Sequence, residues 1–164
     1  MADQPDQTPP ARQLLLQKIY LKDLSFESPK APDVFTSNAS AQTQLNIRSS
    51  NRDVGTNHVE VTLTLTIESK DKEETLFLVE IAQSGVFLVE GYSQEERAAL
   101  LGSFCPGTLY PFAREAVSDI VTKGGFPQLL LQPINFDALY AQAVKSRAES
   151  TAAPAEQPPA GGAH

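Results

Sequence analysis

Val59-Glu60-Val61-Thr62-Leu63-Thr64-Leu65-Thr66-Ile67-Glu68 is the run whose reading decides the fold. Val59, Val61, Leu63, Leu65 and Ile67 point one way, and Glu60, Thr62, Thr64, Thr66 and Glu68 point the other. That period of two is the mark of a strand with one buried face and one wet face. Downstream, Lys70-Asp71-Lys72-Glu73 reads as a polar turn. Thr75 to Gln83 then alternates again, with Phe77, Val79 and Ile81 inside and Leu76, Leu78 and Glu80 outside. Upstream, Thr43 to Ser49 places Leu45 and Ile47 opposite Gln44, Asn46 and Arg48. Leu14 to Phe26 is a first strand of mixed alternation, followed by the proline-stiffened connection Pro29 to Phe35. Short polar links favour hairpins, so the four strands are expected to pair antiparallel.

Beyond the strands the period changes to that of helices. Ser93-Gln94-Glu95-Glu96 has capping-box spacing and predicts a short helix through Leu101, and Pro106 suits the start of another. Leu109, Phe112, Ala113, Ala116, Val117, Ile120 and Val121 form one apolar stripe, with Arg114, Glu115, Ser118 and Asp119 on the wet side. Lys123-Gly124-Gly125 predicts the stop, by a cation against the helix dipole and a glycine free to take a left-handed cap. Asn135 predicts the cap of a last helix striped by Phe136, Leu139, Tyr140, Ala143 and Val144. Strands followed by helices define an α+β domain. Residues 1–12 carry three prolines, and 145–164 hold six alanines, three prolines and two glycines; both read as disordered, leaving a domain over 13–144.

Composition narrows the function. The net charge of −7 and the lack of clustered Lys and Arg exclude a nucleic-acid binder and disfavour anionic membranes. The start Met-Ala-Asp-Gln-Pro-Asp lacks the pattern of a secretory signal, and the single cysteine excludes an internal disulfide, so a cytoplasmic location is expected. Cys105 with His58 is the one Cys–His pair outside the tail, and Cys105 reads as a buried structural thiol. One cysteine and one useful histidine cannot build a tetrahedral zinc site, and no phosphate-binding loop occurs, so neither metal nor cofactor nor catalytic centre is expected. Two features stand out. The outer sheet face sets Leu76 and Leu78 among Glu60, Glu68 and Glu80, with Asp23, Ser25 and Glu27 sharing one side of the first strand. An apolar centre with an acidic rim suits a basic, partly apolar peptide. Secondly, Val34, Phe35, Phe126, Leu129, Leu130 and Leu131 are apolar residues in proline-rich connections, either buried in the core or lining a groove.

Three segments in colinear order carry a family resemblance: Ile19 to Pro29, Cys105-Pro106-Gly107-Thr108-Leu109-Tyr110-Pro111-Phe112-Ala113-Arg114-Glu115, and Phe126-Pro127-Gln128-Leu129 on to Pro133-Ile134-Asn135-Phe136-Asp137-Ala138-Leu139-Tyr140. Over residues 16–142 the chain resembles the SecB protein-export chaperones. The resemblance implies a four-stranded antiparallel sheet with two main helices, assembled as a homotetramer that is a dimer of dimers. It implies ATP-independent holding of unfolded precursor proteins in the cytosol and delivery to the SecA motor ATPase, with no membrane insertion. The family's SecA-binding positions fall on Asp23, Glu27, Leu78 and Glu80, and its assembly positions on Val79, Ile81 and Gln83. The client groove is expected between the second strand, the connection after Pro29 and the last helix. Its candidate liners are Val34, Phe35, Leu45, Ile47, Leu129, Leu131 and Tyr140. The chain departs from the family in carrying Ser84-Gly85 where a Gly-Gly pair is frequent, and in a charge-balanced tail with Lys145, Arg147, Glu149 and Glu156. Two rival readings are a holding chaperone serving a toxin–antitoxin pair and an enzyme using Cys105.

Overall fold

Strand β3 (His58–Asp71) is the spine of the fold. Its inward residues Val59, Val61, Leu63, Leu65 and Ile67 are all fully buried. The computed structural model describes residues 8–152. It pairs β3 antiparallel on one side with β2 (Gln42–Gly55) and on the other with β4 (Glu74–Glu90). Strand β1 (Gln13–Glu27) adds to the far side of β4, giving the order β1-β4-β3-β2. Each hairpin turns through a residue of positive φ, Asn57 at 58° and Lys72 at 55°.

Two strands run further than their alternation shows. β4 continues seven residues past Gln83, through Ser84-Gly85 without a bulge of its own. The irregularity lies on β1, whose register against β4 shifts between Leu16 and Lys18 and again between Leu21 and Asp23. Gly85 is required by packing, since a Cβ there would stand 3.0 Å from Leu109 Cδ2 and 3.1 Å from Leu16 Cδ1. β2 continues through Ser50-Asn51-Arg52-Asp53, polar on both faces and paired along its backbone with β3.

The helices cover the inner face. Helix α1 (Gln94–Ala99) opens with the expected capping box: Glu96 N–H donates to Ser93 Oγ at 3.2 Å, and Ser93 N–H donates to Glu96 Oε2 at 3.0 Å. No break follows. A π-helical turn over Leu100–Phe104 leads straight into α2 (Cys105–Lys123), and this wider turn accommodates Pro106, which has no N–H to give. Leu109, Ala113, Val117 and Val121 are fully buried, Tyr110 is buried with its ring on Phe136 and its hydroxyl donating to Gln132 O, and Phe112 is 48% exposed. The stripe is therefore rotated from the expected one, with Tyr110 inside and Phe112 outside. α2 stops at Gly124, whose N–H donates to Ile120 O at 2.9 Å, and Gly125 takes φ +87°.

Helix α3 (Phe136–Ala152) is capped by Asn135, whose Oδ1 accepts from Ala138 N–H at 3.0 Å. It corrects the expected tail at 145–152, which is helical and solvent-exposed along its length. Lys, Arg, Ala and Glu there are good helix formers, and the Ser146, Ser150 and Thr151 hydroxyls donate back to carbonyls of the preceding turn. The remainder of the expected tail, 153–164, lies outside the described residues, as do 1–7 of the N-terminal segment. Arg12, in that same segment, pairs with Glu96 at 2.9 Å and sits 5.6 Å from the centre of the Tyr92 ring.

Candidate functional site

The strand registers settle which side chains share the outer face. Glu27 lies opposite Leu78, Ser25 opposite Glu80, and Asp23 opposite Ala82. On the other side of β4, Leu78 faces Glu68 and Glu80 faces Thr66. Asp23, Glu27, Leu78 and Glu80 thus form one contiguous patch, as their alternation predicts. Leu76 does not belong to it. It is 7% exposed, beneath the chain leaving β1, and its carbonyl accepts from Ser28 Oγ at 3.0 Å.

Further along the same face, Glu60 is only 8% exposed although it sits on the wet side of β3. Lys22 from β1 and Arg52 from β2 reach it from opposite edges of the sheet, Arg52 Nη2 at 2.8 Å. These two cations hold the Glu60 carboxyl down to a pKa of about 2, against the opposing effect of burial. One acid thereby ties both edge strands to the centre. A small polar cleft of about 350 Å³ surrounds this cluster, floored by Thr62 and Ala82.

The inner face has an uncovered part. α2 lies over β3 and β4, while β2 faces α1, the π turn and α3 across a trough of about 570 Å³. Ile47, Leu101, Leu139, Tyr140, Ala143 and Val144 supply its apolar lining. Arg97 of α1 closes one end by pairing with Asp53 of β2 at 2.5 Å. Tyr140 seats on the π turn because residue 102 is glycine: a Cβ there would collide with the ring. Ser103 donates to the Asp137 carboxylate and fixes the start of α3 beside it.

The candidate groove residues divide between two places. Ile47 and Tyr140 meet in the trough, with Leu45 on the same side of β2 and 38% exposed. Phe35 is 49% exposed and rests on Phe126 at 5.3 Å, and Phe126 in turn packs on Phe77 at 4.8 Å. Val34 and Leu129 are partly buried against the core. Leu131 is 7% exposed and lines no open surface, which removes it as a contact residue. Val79 and Ile81 are fully buried and Gln83 is 5% exposed, its Nε2 donating to Tyr20 O at 2.9 Å. These three expected interface residues are covered within the single chain. Leu139 and Val144 are trough residues that the pattern assigned to a buried stripe; 44% and 45% exposure shows that their helix has little to cover them. Cys105 is fully buried, and burial pushes its thiol up to about 12. Among the described residues no group of three or more His, Cys, Asp or Glu could hold a metal ion, and no helix is long and apolar enough to cross a membrane.

Comparison with known proteins agrees with this geometry. Residues 6–147 match the family described as preprotein translocase subunit SecB. The protein-export protein SecB of Hahella chejuensis is 50% identical over 142 residues, covering 87% of this chain and 89% of that one. The protein-export protein SecB of Methylococcus capsulatus is 49% identical over 146 residues, covering 89% and 94%. The solved structure of a SecB-like chaperone from Mycobacterium tuberculosis, in complex with an antitoxin peptide, has the same fold. Its TM-score is 0.63 at 16% identity, covering 74% of this chain and 90% of that one. With a family match along most of its length, relatives of half-identical sequence and a shared fold, the chain belongs to the SecB family of protein-export chaperones.

Proposed function

We propose that this export chaperone holds unfolded precursor proteins in the cytosol, as a homotetramer and without ATP, and passes them to the SecA motor. The observation that carries the reading is the amount of apolar side chain left open after folding. Leu15, Leu16, Leu21 and Leu24 on β1 are 38–54% exposed, as are Leu45, Leu139 and Val144 around the trough and Phe35 on the connection after Pro29. A lone domain gains nothing from such surface; an assembly that binds unfolded chains uses it twice. Apolar burial contributes about 25 cal/mol per Å² and is non-directional, which suits clients of unrelated sequence. Repeated troughs on four subunits add avidity without new contacts.

β1 supports self-association. It is an edge strand of 15 residues with no strand on its outer rim among the described residues, and Leu15, Leu16, Leu21 and Leu24 along it stay 38–54% exposed. The acidic patch at Asp23, Glu27 and Glu80 around Leu78 supports docking of a basic segment of the motor. Relatives that are half-identical favour export over toxin–antitoxin service, because the chaperone found with an antitoxin peptide shares only 16% of the sequence. A reaction at Cys105 is disfavoured by its burial and by a thiol held protonated at neutral pH. Alkylating Cys105 should leave client binding intact.

Sedimentation with an unfolded precursor tests the proposal. The expected species has the mass of four chains plus client, and aggregation of the precursor slows. A monomer that leaves aggregation unchanged would overturn it. In the same assay Glu80→Lys should weaken affinity for the motor and leave the assembled mass unchanged.

A further inference from the structure

Tyr140 has an opening on each side of it. On one side is the trough, whose charged lining residues are Arg97 and Arg147. On the other, between α1, the π turn and α3, lies a separate pocket of about 420 Å³. Its walls are mainly apolar, from Ala99, Leu100, Phe104 and the rings of Tyr92 and Tyr140. Its charged lining residues are Glu96 and Asp137, both carboxylates. Phe104 is 51% exposed, which leaves an open aromatic wall. The chain already places a guanidinium beside this pocket. Arg12 Nη2 stands 2.9 Å from Glu96 Oε1, and the guanidinium carbon lies 5.6 Å from the centre of the Tyr92 ring. Gly91, at φ +77°, brings it there. A Cβ at that position would stand 2.8 Å from Ala11 O and 2.9 Å from Pro10 O, so a side chain would push away the segment that leads into β1. The hold is light, because the Arg12 and Glu96 side chains stay 62% and 41% exposed and such a pair contributes little in water.

Building on the holding reading, we infer that this pocket is a second client site, selective for an arginine flanked by apolar residues, and that Arg12 is a displaceable occupant of its mouth supplied by the chain itself. Charge complementarity selects the occupant. A guanidinium is planar and weakly hydrated, pairs with carboxylates and stacks on aromatic rings, and carboxylates and rings are what the pocket offers. A neutral segment gains no pairing with Glu96 and Asp137, and an acidic one is repelled. The trough, with Arg97 and Arg147, has no such preference. Because Tyr140 lines both openings, a client held in the trough needs to cross only that ring to place an arginine in the pocket. It must then displace Arg12, so the segment before β1 lowers affinity for arginine-bearing clients without touching the trough.

Two labelled unstructured peptides test this by fluorescence anisotropy with the assembled full chain. They are rich in leucine and phenylalanine and identical except for two arginines in one and two citrullines in the other. Citrulline keeps the shape of arginine and removes its charge. The arginine peptide should bind about three- to tenfold more tightly, as suits a solvent-accessible pairing with a ring contact. Glu96→Gln, which retains the capping box, and Asp137→Asn, which can still accept from Ser103, should each shrink that ratio about twofold. Arg12→Gln should raise the ratio about two- to threefold by removing the tethered competitor. Lys72→Gln makes the same charge change at the opposite end of β4 and should leave the ratio at the parent value, since charges so far apart are screened. Equal affinity for the two peptides, a ratio for Arg12→Gln at or below the parent's, or the same rise with Lys72→Gln would overturn the inference and leave the holding reading standing. So would failure of both peptides to bind while an unfolded precursor is held. Failure to hold the precursor as well would overturn the holding reading itself. A fall in assembled mass with Arg12→Gln would show a second copy of the chain over the pocket, and the inference would also fall.

Discussion

The two edge strands of the sheet, β1 and β2, have nearly the same length and opposite chemistry. β1 is rich in leucine, is bulged twice and leaves Leu15, Leu16, Leu21 and Leu24 substantially exposed. β2 reads Gln42 to Gly55 with Leu45, Ile47 and Val54 as its apolar residues, and Arg48, Arg52 and Asp53 along its length. An unpaired edge is a template for association unless charges blunt it. Both edges carry charges, Lys18, Lys22, Asp23 and Glu27 on β1 and Arg48, Arg52 and Asp53 on β2, and they differ in apolar content: β1 keeps exposed leucines while β2 is mainly polar. On the proposed function the difference gives the edges separate roles, with β1 covered by another copy and β2 left open as the wall of the trough opposite α3. One core strand pair can therefore support assembly at one margin and client holding at the other.

The most disruptive way to break this contrast is Leu16→Glu with Leu21→Glu. Two charges placed on the surface to be buried should weaken self-association more than about 100-fold, read as a fall in sedimenting mass. The matched change on the other edge, Leu45→Ser with Ile47→Ser, should keep the mass and reduce client binding. If the β2 pair also dissociates the assembly, the division between the edges is wrong.

Glu60→Gln probes what the two edges share. Removing the carboxylate frees Lys22 and Arg52, and the loss should be about 1–3 kcal/mol at neutral pH, moderated because both cations reach solvent. The sign with pH follows from the lowered pKa. The folded carboxyl titrates near 2, below its ordinary value near 4.5. Its contribution is therefore complete above about pH 4.5 and disappears as pH falls towards 2. Urea midpoints of the parent and of Glu60→Gln should converge over that interval; a gap independent of pH would remove the ion cluster as its cause.

Tyr140→Ala should weaken client binding about tenfold, or about 1.4 kcal/mol, with unchanged mass, since Tyr140 packs on Gly102 at the trough and far from β1. The smallest effect is expected for Leu45→Ser alone, about threefold in client affinity, because that side chain is already partly exposed. Titrating a labelled unfolded client measures both.

Legibility differed between these same regions for physical reasons. β3 was readable along its length because its two faces see different solvents, so selection on each face leaves a clean alternation. β4 was readable only to Gln83. Beyond it Ser84 and Gly85 answer to Thr62 on one face, by a 2.7 Å hydroxyl contact, and to Leu109 on the other, and neither need shows as alternation. The polar half of β2 gave no signal because both its sides meet water. The acidic patch was legible, since a period of two places Asp23, Glu27, Leu78 and Glu80 on outward sides before any pairing is known. The trough was legible only in part: Ile47 and Tyr140 could be named, while Leu139 and Val144 looked like ordinary core positions. A helical stripe states that one side is apolar; it does not state what stands opposite.

The sequence by itself determined which residues turn inward and outward along β3, in β2 from Thr43 to Ser49 and in β4 from Phe77 to Gln83, where α1 and α3 begin and where α2 ends. Those are local matters of alternation, capping and backbone freedom. Only the tertiary structure decided that β1 lies beside β4, which makes β1 and β2 the margins of the sheet. It also decided that Val79 and Ile81 are sealed under a helix while Leu16 and Leu21 are not. Neighbourhood in a sheet is set by contacts such as Gln83 to Tyr20, 63 positions apart, whose energy is shared between strands and leaves no pattern within either one.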